Sequence, residues 1–408
     1  MNKKLLTTFI IIILLTAALA AWYFFQNHSN DGQKESNSDS GRFFSGLFPD
    51  IGPSGREEEK PGSGVSTTTP PAAATAKLYK LVPESVSGAM FVKNAPQSSR
   101  RAATSSSAGK IRYIERATGH VYDIDPDGKN KTRISNTTAP GIFDVAWAPD
   151  GNRAVLKYAA GSSISIISAK FTGSTTQGVF LSSDLKDILF SPKGDRIAYV
   201  AESGGDGVII TASPENKNPR VIFKNPFSSW MFLWPEEGIM YIAPRPSAYL
   251  NGFLYRLNIA SGALEKIAGP RAGLLFSVSG NTVLVSESNP RKKTIDTLVL
   301  DAKTGKTSLS PVRVIPEKCA WSKKEKEAAF CAVSDPFPPA VIPDDWYQGK
   351  ILFADKVVKI NFGAAPQKEF MLGEFADVYK PFLSPEEDKL FFINRVDGAL
   401  WALELSEG

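Results

Sequence analysis

The chain has 408 residues, 42% of them hydrophobic, and a formal net charge of +5, so it can form one large domain or several smaller ones around a substantial core. Its Lys and Arg residues are spread along the sequence without a basic block, which argues against nucleic-acid binding. Only two Cys and two His occur. This composition excludes a disulfide-dense scaffold and a zinc site built from several cysteines.

The N-terminal sequence predicts a membrane anchor. Residues 5–25 carry no charge, and about 20 such residues cross the hydrocarbon core of a bilayer. Trp22 and Tyr23 stand at the end of this run, where aromatic rings favour the interface, and two lysines precede it. By the positive-inside rule, residues 1–4 stay in the cytoplasm and the rest is exported. The alternative is a signal peptide cleaved after residues 18–20, which also exports the chain.

A linker separates this segment from the remaining sequence. Residues 26–75 are rich in Ser, Asn, Gly, Pro and Thr and have no sustained apolar period. This composition is typical of a disordered tether. We therefore expect one folded domain, over residues 76–408, held on the outer side of the cytoplasmic membrane, in the periplasm or at the cell surface.

A strand–turn–strand pattern recurs within this domain. Its copies are residues 143–158, 185–200 and 378–393. Pro followed by Asp or Lys and then Gly supplies the turn in the first two copies, because Pro presets φ and Gly tolerates a positive φ. The β-branched and aromatic residues on either side favour an extended backbone. The pattern predicts an all-β domain built from hairpins.

The spacing of the pattern predicts a β-propeller. Six landmark residues end the first strand of a repeat: Trp147, Phe190, Leu233, Phe276, Trp321 and Leu383. They are separated by 43, 43, 43, 45 and 62 residues, and Phe91 precedes the first by 56. The two long intervals contain a Ser-rich stretch (residues 95–109) and an insertion (residues 335–349). A period of about 40–45 residues with four strands is typical of a propeller blade, and the domain has room for seven.

The N-terminal strand is predicted to close the ring. The last repeat ends after its third strand, at about residues 399–405, whereas residues 78–82 form a spare apolar strand just after the linker. Pairing the two would give seven four-stranded antiparallel blades. It would also remove an exposed sheet edge, which favours aggregation.

The turn sequences resemble a known repeat. Residues 147–151 (Trp-Ala-Pro-Asp-Gly), 190–194 (Phe-Ser-Pro-Lys-Gly) and 383–387 (Leu-Ser-Pro-Glu-Glu) are similar to the repeat of TolB-like, WD40-like propellers in bacterial envelope proteins. The same repeat occurs in propellers of the prolyl oligopeptidase group. The resemblance covers about residues 76–408. It implies a propeller fold and a role as a protein-interaction platform in the envelope.

Catalytic motifs are absent from the sequence. No Gly-x-Ser-x-Gly motif occurs, and His120 is the only histidine in the domain, so we interpret it as a residue beside a blade turn. Asp123, Asp125 and Asp127 match the first half of a calcium loop, but Ile134 occupies the position of its bidentate Glu. We predict a binding protein without metal or cofactor. The alternative is an envelope hydrolase or lyase with its site in the propeller channel.

Charged residues are predicted to lie near the central channel. The position three residues before each landmark should be on the innermost strand; it holds Gly88, Asp144, Asp187, Trp230, Gly273, Lys318 and Lys380. Acidic residues on the second and third blades would then face basic residues on the sixth and seventh. Such a channel mouth could bind a peptide or a charged cell-wall ligand. Alternatively, these charges are merely hydrated.

Two further features are predicted from the sixth repeat. Cys319 and Cys331 are equidistant from Glu325 at the tip of a hairpin, so they can face each other about 4.5 Å apart and form a disulfide. The alternative is two buried thiols. The insertion carries Asp344, Asp345, Trp346 and Tyr347, residues suited to partner contacts unless the loop folds back onto its own blade. We expect the propeller to act as a monomer.

Overall fold

The computed structural model describes residues 77–93, 109–172, 175–362 and 368–405. The membrane segment predicted at 5–25 and the linker predicted at 26–75 lie outside these residues and remain predictions. Within the described ranges, no helix has the length and apolarity needed to cross a bilayer.

The described residues form seven four-stranded antiparallel sheets, which confirms the predicted seven-bladed propeller. Blades 1 and 2 contain β2 (Val86–Val92), β3 (Lys110–Glu115), β4 (Val121–Ile124), β5 (Thr132–Arg133), β6 (Ile142–Trp147), β7 (Arg153–Ala160), β8 (Ser163–Thr172) and β9 (Thr175–Leu181). Blades 3 and 4 contain β10 (Lys186–Phe190), β11 (Ile197–Ser203), β12 (Asp206–Ala212), β13 (Arg220–Asn225), β14 (Trp230–Glu236), β15 (Ile239–Pro244), β16 (Asn251–Asn258) and β17 (Leu264–Ala272). Blades 5 and 6 contain β18 (Phe276–Ser279), β19 (Thr282–Asn289), β20 (Thr294–Asp301), β21 (Thr307–Leu309), β22 (Cys319–Trp321), β23 (Ala328–Ser334), β24 (Asp355–Asn361) and β25 (Lys368–Phe370).

The seventh blade joins the two ends of the domain. It contains β26 (Val378–Leu383), β27 (Lys389–Asn394), β28 (Leu400–Glu404) and, as its outermost strand, β1 (Leu78–Val82). β1 is antiparallel to β28, with Leu78 opposite Leu403. This pairing confirms the predicted ring closure by the N-terminal strand.

Both surfaces of each inner strand are buried because neighbouring blades pack face to face. In β11, Ile197 and Tyr199 join a core cluster with blade 2, whereas Ala198 and Val200 join a cluster that contains Trp230 of blade 4. This arrangement explains why both faces of the strand are apolar, unlike a sheet with one solvated face.

The turn sequences have the conformation that their composition predicts. Gly151 and Gly194 have φ values of 70° and 76°, in the left-handed region that favours glycine. In the third copy Glu387 takes this conformation, with φ 53°. Its carboxylate accepts hydrogen bonds from Ser322 Oγ and Lys323 N, both at 2.6 Å, in the neighbouring blade.

The disulfide prediction is confirmed. Cys319 of β22 lies directly opposite Cys331 of β23, and their sulfur atoms are bonded. The Cα atoms are 4.0 Å apart. The bond therefore links the two inner strands of blade 6 at the start of β22, at the end of their pairing away from the turn that joins them.

Candidate functional site: the loop face of the propeller

The two ends of the ring carry different connections between strands. The end with the turns between the first and second strands of each blade is called the turn face. The loop face is the opposite end, where first strands begin and where second strands continue into third strands. Exposed residues of the turn face include the charged side chains Asp150, Lys193, Glu237, Lys323 and Glu386.

Exposed apolar side chains concentrate on the loop face. They include Phe143, Ile164, Phe227, Tyr249, Leu250, Leu352 and Val396, with Tyr249 71% and Leu250 67% exposed. Among the described residues, no large hydrophobic side chain is exposed in a first-to-second-strand turn. Contiguous exposed apolar surface commonly marks an interaction site, so this asymmetry identifies the loop face as the candidate site.

The insertion of blade 6 packs onto this face. Its short helix α1 (Asp344–Tyr347) places Trp346, 1% exposed, against Leu275, Ile315 and Phe353. The Asp344 carboxylate accepts hydrogen bonds from Ser247 Oγ at 2.9 Å and from Ala248 N at 2.7 Å, both in blade 4. The insertion therefore reaches from blade 6 across blade 5 to blade 4.

The structure corrects the sequence-based view of the insertion residues. Asp344, Asp345 and Trp346 make contacts within the chain, since Asp345 accepts a hydrogen bond from Val341 N at 2.8 Å and lies 3.7 Å from Lys350 Nζ. Tyr347 remains 40% exposed. The structure agrees better with the alternative expectation, in which the insertion folds back onto the propeller. The insertion covers other blades as well as blade 6.

Two of the predicted channel charges meet across the ring. Lys380 Nζ of blade 7 is 2.9 Å from Asp144 Oδ1 of blade 2, and Lys157 Nζ is 3.9 Å from Asp144 Oδ2. Burial opposes ionisation of Asp144, but the attraction of Lys380 outweighs it and holds the pKa of the carboxyl below its usual value. Burial likewise disfavours the charged Lys380, yet Tyr379 and Asp144 raise its pKa.

The other predicted channel residues do not take part in this pairing. Asp187 pairs with Arg245 of the neighbouring blade instead of a base across the ring. Trp230 is buried, and its Nε1 donates to Phe227 O at 2.7 Å. Lys318 is 2% exposed and contacts the buried Asp355 and Asp377, and not an acidic residue of blade 2 or 3 as expected.

An acid–phenol pair at the channel mouth was not found from the sequence. Tyr347 donates a hydrogen bond from its hydroxyl to Glu317 Oε1 at 2.6 Å. Burial raises the pKa of Glu317 above its ordinary value, and burial together with Glu317 raises that of Tyr347. Arg395 stacks on Trp346, 5.1 Å from its ring centre, and donates to Trp346 O at 3.0 Å. These residues frame the uncovered part of the channel mouth.

Two cavities open beside these residues. A cavity of about 540 Å³ has Arg116, Glu317, Tyr347 and Arg395 in its wall, together with Phe143. A second, of about 450 Å³, includes Lys157, Lys186, Asp187, Arg245 and again Phe143. Because Phe143 lines both, the cavities adjoin, and together they present apolar surface beside charges of both signs.

The structure assigns no constellation of catalytic residues to this face. His120 Nε2 lies 3.0 Å from Thr138 Oγ1 and 2.8 Å from Arg133 Nη2. Asp123 forms two hydrogen bonds with Arg112, at 2.7 and 2.8 Å. Across the part of the chain that the structure describes, no group of three His, Cys, Asp or Glu side chains is placed to hold a metal ion.

No protein-family model and no curated protein matches the sequence. Among solved structures, the chain is similar to oligogalacturonate lyase from Vibrio parahaemolyticus, with a TM-score of 0.55 and 9% identity over 82% of this chain and 99% of that one. It is also similar to Kuenenia stuttgartiensis hydrazine synthase, with a TM-score of 0.51 and 11% identity over 73% of this chain and 93% of that one.

TolB from Acinetobacter baumannii is a further similar structure, with a TM-score of 0.43 and 13% identity over 74% of this chain. The match covers 65% of TolB, slightly less than two thirds of its length. At such identities the similarity concerns the fold alone, because propellers host many unrelated activities. The chain is a seven-bladed β-propeller.

Proposed function

We propose that the chain is a binding scaffold that holds a segment of another protein on its loop face, across the mouth of the channel. The observation that carries this proposal is the concentration of exposed apolar side chains on that face and their absence from the described turns of the other. Apolar anchors surrounded by charged groups are typical of protein interfaces.

The cavities indicate what kind of segment would bind. Volumes of about 450 and 540 Å³ lie within the usual range for ligand pockets and can each receive a large side chain. Arg116 and Arg395 in one wall, and Asp187 with Lys186 in the other, would pair with charges on the same segment. A folded loop or an extended peptide with apolar and charged residues fits this surface better than a purely polar glycan.

The proposed location is the outer side of the cytoplasmic membrane, with residues 5–25 as the anchor. The uncharged run in the sequence supports this, and so does the disulfide, because such bonds persist in oxidising compartments. β1 begins at the turn face, so the chain enters the propeller at that end and not at the loop face.

The test compares two double variants of the full chain. The side chains replaced in one variant are about as exposed as those replaced in the other. Phe227→Ser with Leu250→Ser removes loop-face side chains that are 66% and 67% exposed. Phe180→Ser with Leu309→Ser, both 68% exposed, removes apolar surface from outer strands of the blades and is the control. After cross-linking in intact cells, we expect partner capture to fall about tenfold or more for the loop-face pair, as for two interface anchors, and to persist in the control. Equal capture by both variants would refute the loop face as the binding site.

An enzymatic alternative, a hydrolase or lyase acting at the channel mouth, is favoured by one observation. Glu317 has a raised pKa and lies in a cavity wall with two arginines, an arrangement that suits proton transfer beside an anionic substrate. Turnover of an acidic polysaccharide or peptide that is lost in Glu317→Gln would support this alternative. Capture without turnover would leave the scaffold as the function.

A further inference from the structure

Lys318 is enclosed with two aspartates in the interior of the propeller. Its Nζ is 2.6 Å from Asp355 Oδ2 and 2.7 Å from Asp377 Oδ1. The three side chains are 2%, 1% and 0% exposed. Lys318 ends the short 3-10 turn Pro316–Lys318, Asp355 begins β24 and Asp377 directly precedes β26, so three separate elements bring these groups together.

The surroundings of this cluster are apolar. Phe353 and Trp346 lie over the ammonium group, with ring centres 4.3 and 5.8 Å from Nζ. The backbone N–H of Val378 donates to Asp355 Oδ2 at 2.8 Å. Asp355 Oδ1 and Asp377 Oδ2 have no hydrogen-bond partner. A lysine cation with two carboxylates would therefore leave one negative charge buried without compensation, which is strongly unfavourable.

A single extra proton removes this imbalance. Burial raises the pKa of Asp355 above its ordinary value, so the cluster takes up a proton more readily than exposed aspartates do. The cluster then contains one ammonium, one carboxylate and one carboxylic acid and is neutral overall. Those three groups, held in contact in a buried site, are the reactants for amide formation.

We propose that Lys318 Nζ and Asp355 Cγ are joined by an amide bond that the propeller forms on its own, with Asp377 as the proton relay. Asp377 in its carboxylate form takes a proton from the ammonium, and the freed amine attacks Cγ of the protonated Asp355. The C–N bond forms, the C–O bond of Asp355 breaks, and the departing hydroxyl leaves as water with a proton relayed through Asp377. Asp377 finishes as the acid, so four protons and zero net charge are present before and after.

The geometry favours this condensation over its reverse. An amine hydrogen-bonded to a carboxyl group is already near the attack distance of about 3–3.5 Å, and such placement can be worth effective concentrations of about 10⁵ M or more. The reaction also converts a buried ion pair into a neutral amide. This removes the cost of keeping two charges out of water.

The pair formed by Lys380 and Asp144 is an internal comparison. Its Nζ–oxygen distance is 2.9 Å, but the two side chains are 34% and 43% exposed, and Lys380 meets the charged Asp144 with Lys157 nearby. Water and a carboxylate held ionised both oppose amide formation. We therefore expect no covalent bond at this pair.

The test is a tryptic digest of the reduced full-length chain, analysed by mass spectrometry. We expect cleavage after Lys318 to be blocked. A branched peptide should contain Val314–Lys323 joined to Ile351–Lys356, lighter than the sum of the two by one water. Closure of the Asp355 side chain to a cyclic imide would also remove a water but would leave a linear peptide, so fragmentation distinguishes the two products. Linear peptides ending at Lys318, with Ile351–Lys356 unmodified, would overturn the proposal.

Two further results bear on the assignment of roles. Asp377→Asn keeps the size of the side chain but cannot relay protons in the same way; we expect a folded chain, judged by circular dichroism, that yields only linear peptides. A branched peptide in that variant, a branch on Asp377 in place of Asp355, or a branch joining Lys380 to Asp144 would each contradict the mechanism. The wild-type digest decides the existence of the bond even if the variant does not fold.

Discussion

Replacing Trp346 with Ala should release the insertion from the loop face while leaving the ring folded. The indole is 1% exposed and packs against Phe353 and Ile315, with Arg395 stacked on it. Truncating a fully buried aromatic to Ala costs about 3–5 kcal/mol. Here the loss falls on a segment that can detach locally, so local opening should absorb it before global unfolding does.

Hydrogen exchange of the full chain measures this effect directly. Three amides in or beside α1 are bonded within the insertion: Asp345 N to Val341 O, Tyr347 N to Pro343 O and Gln348 N to Asp344 O. A loss of about 3–5 kcal/mol should speed their exchange by about a hundredfold to several thousandfold, since each 1.4 kcal/mol is a factor of ten. The exchange rate reaches its upper limit when the segment is completely detached.

A matched variant separates packing from the hydroxyl contact. Tyr347→Phe removes the hydrogen bond to Glu317 but leaves the Trp346 anchor in place. Exchange in α1 should then change by less than about tenfold, because one net hydrogen bond is worth about 0.5–1.5 kcal/mol. If Trp346→Ala also changed exchange by less than tenfold, the insertion would be held by its polar contacts, and the reasoning from burial would be refuted.

Three other variants test the ring itself. Cys319→Ser with Cys331→Ser opens a disulfide spanning 12 residues and should lower the free energy of unfolding by about 2–4 kcal/mol in denaturant titrations; an unchanged midpoint would contradict this. Because the pKa of Asp144 is lowered in the folded state, its contribution to stability is present above pH ~4 and lost as the pH falls through the folded pKa. Asp144→Asn should therefore flatten the acid side of the stability profile, and an identical profile would argue against the ion pair. Gly151→Ala should destabilise more than Gly204→Ala, since both have positive φ but only at Gly151 would a Cβ meet a neighbour, Val92 at 2.3 Å; equal melting points would refute this steric argument.

The features that the sequence predicts correctly are those that the repeat dictates. Blade number, the closing strand and the pairing of Cys319 with Cys331 all follow from counting, because strand register is set by the turn that joins two strands.

The features that the sequence does not predict lie where the period is broken. Lys318 stands at a channel position by register, yet Trp346 of the insertion and Phe353, just after it, cover it. Glu317 and Tyr347 meet across 30 residues of sequence. No periodic spacing encodes such contacts. They depend on how an irregular segment fits the shape of blades 4 to 7, and only the folded packing shows that.

The constraints on the two faces explain why function should be sought on one of them. At the turn face a tight turn needs a left-handed residue at Gly151 and Gly194, and even Glu387 is fixed in that conformation by bonds to the next blade. Substitutions of these turn residues therefore lower the stability of the ring. At the loop face the connections between strands vary in length from blade to blade. Connections of variable length can carry a binding surface without any change in the strands of the ring, and most of the exposed aromatic residues are found on this face.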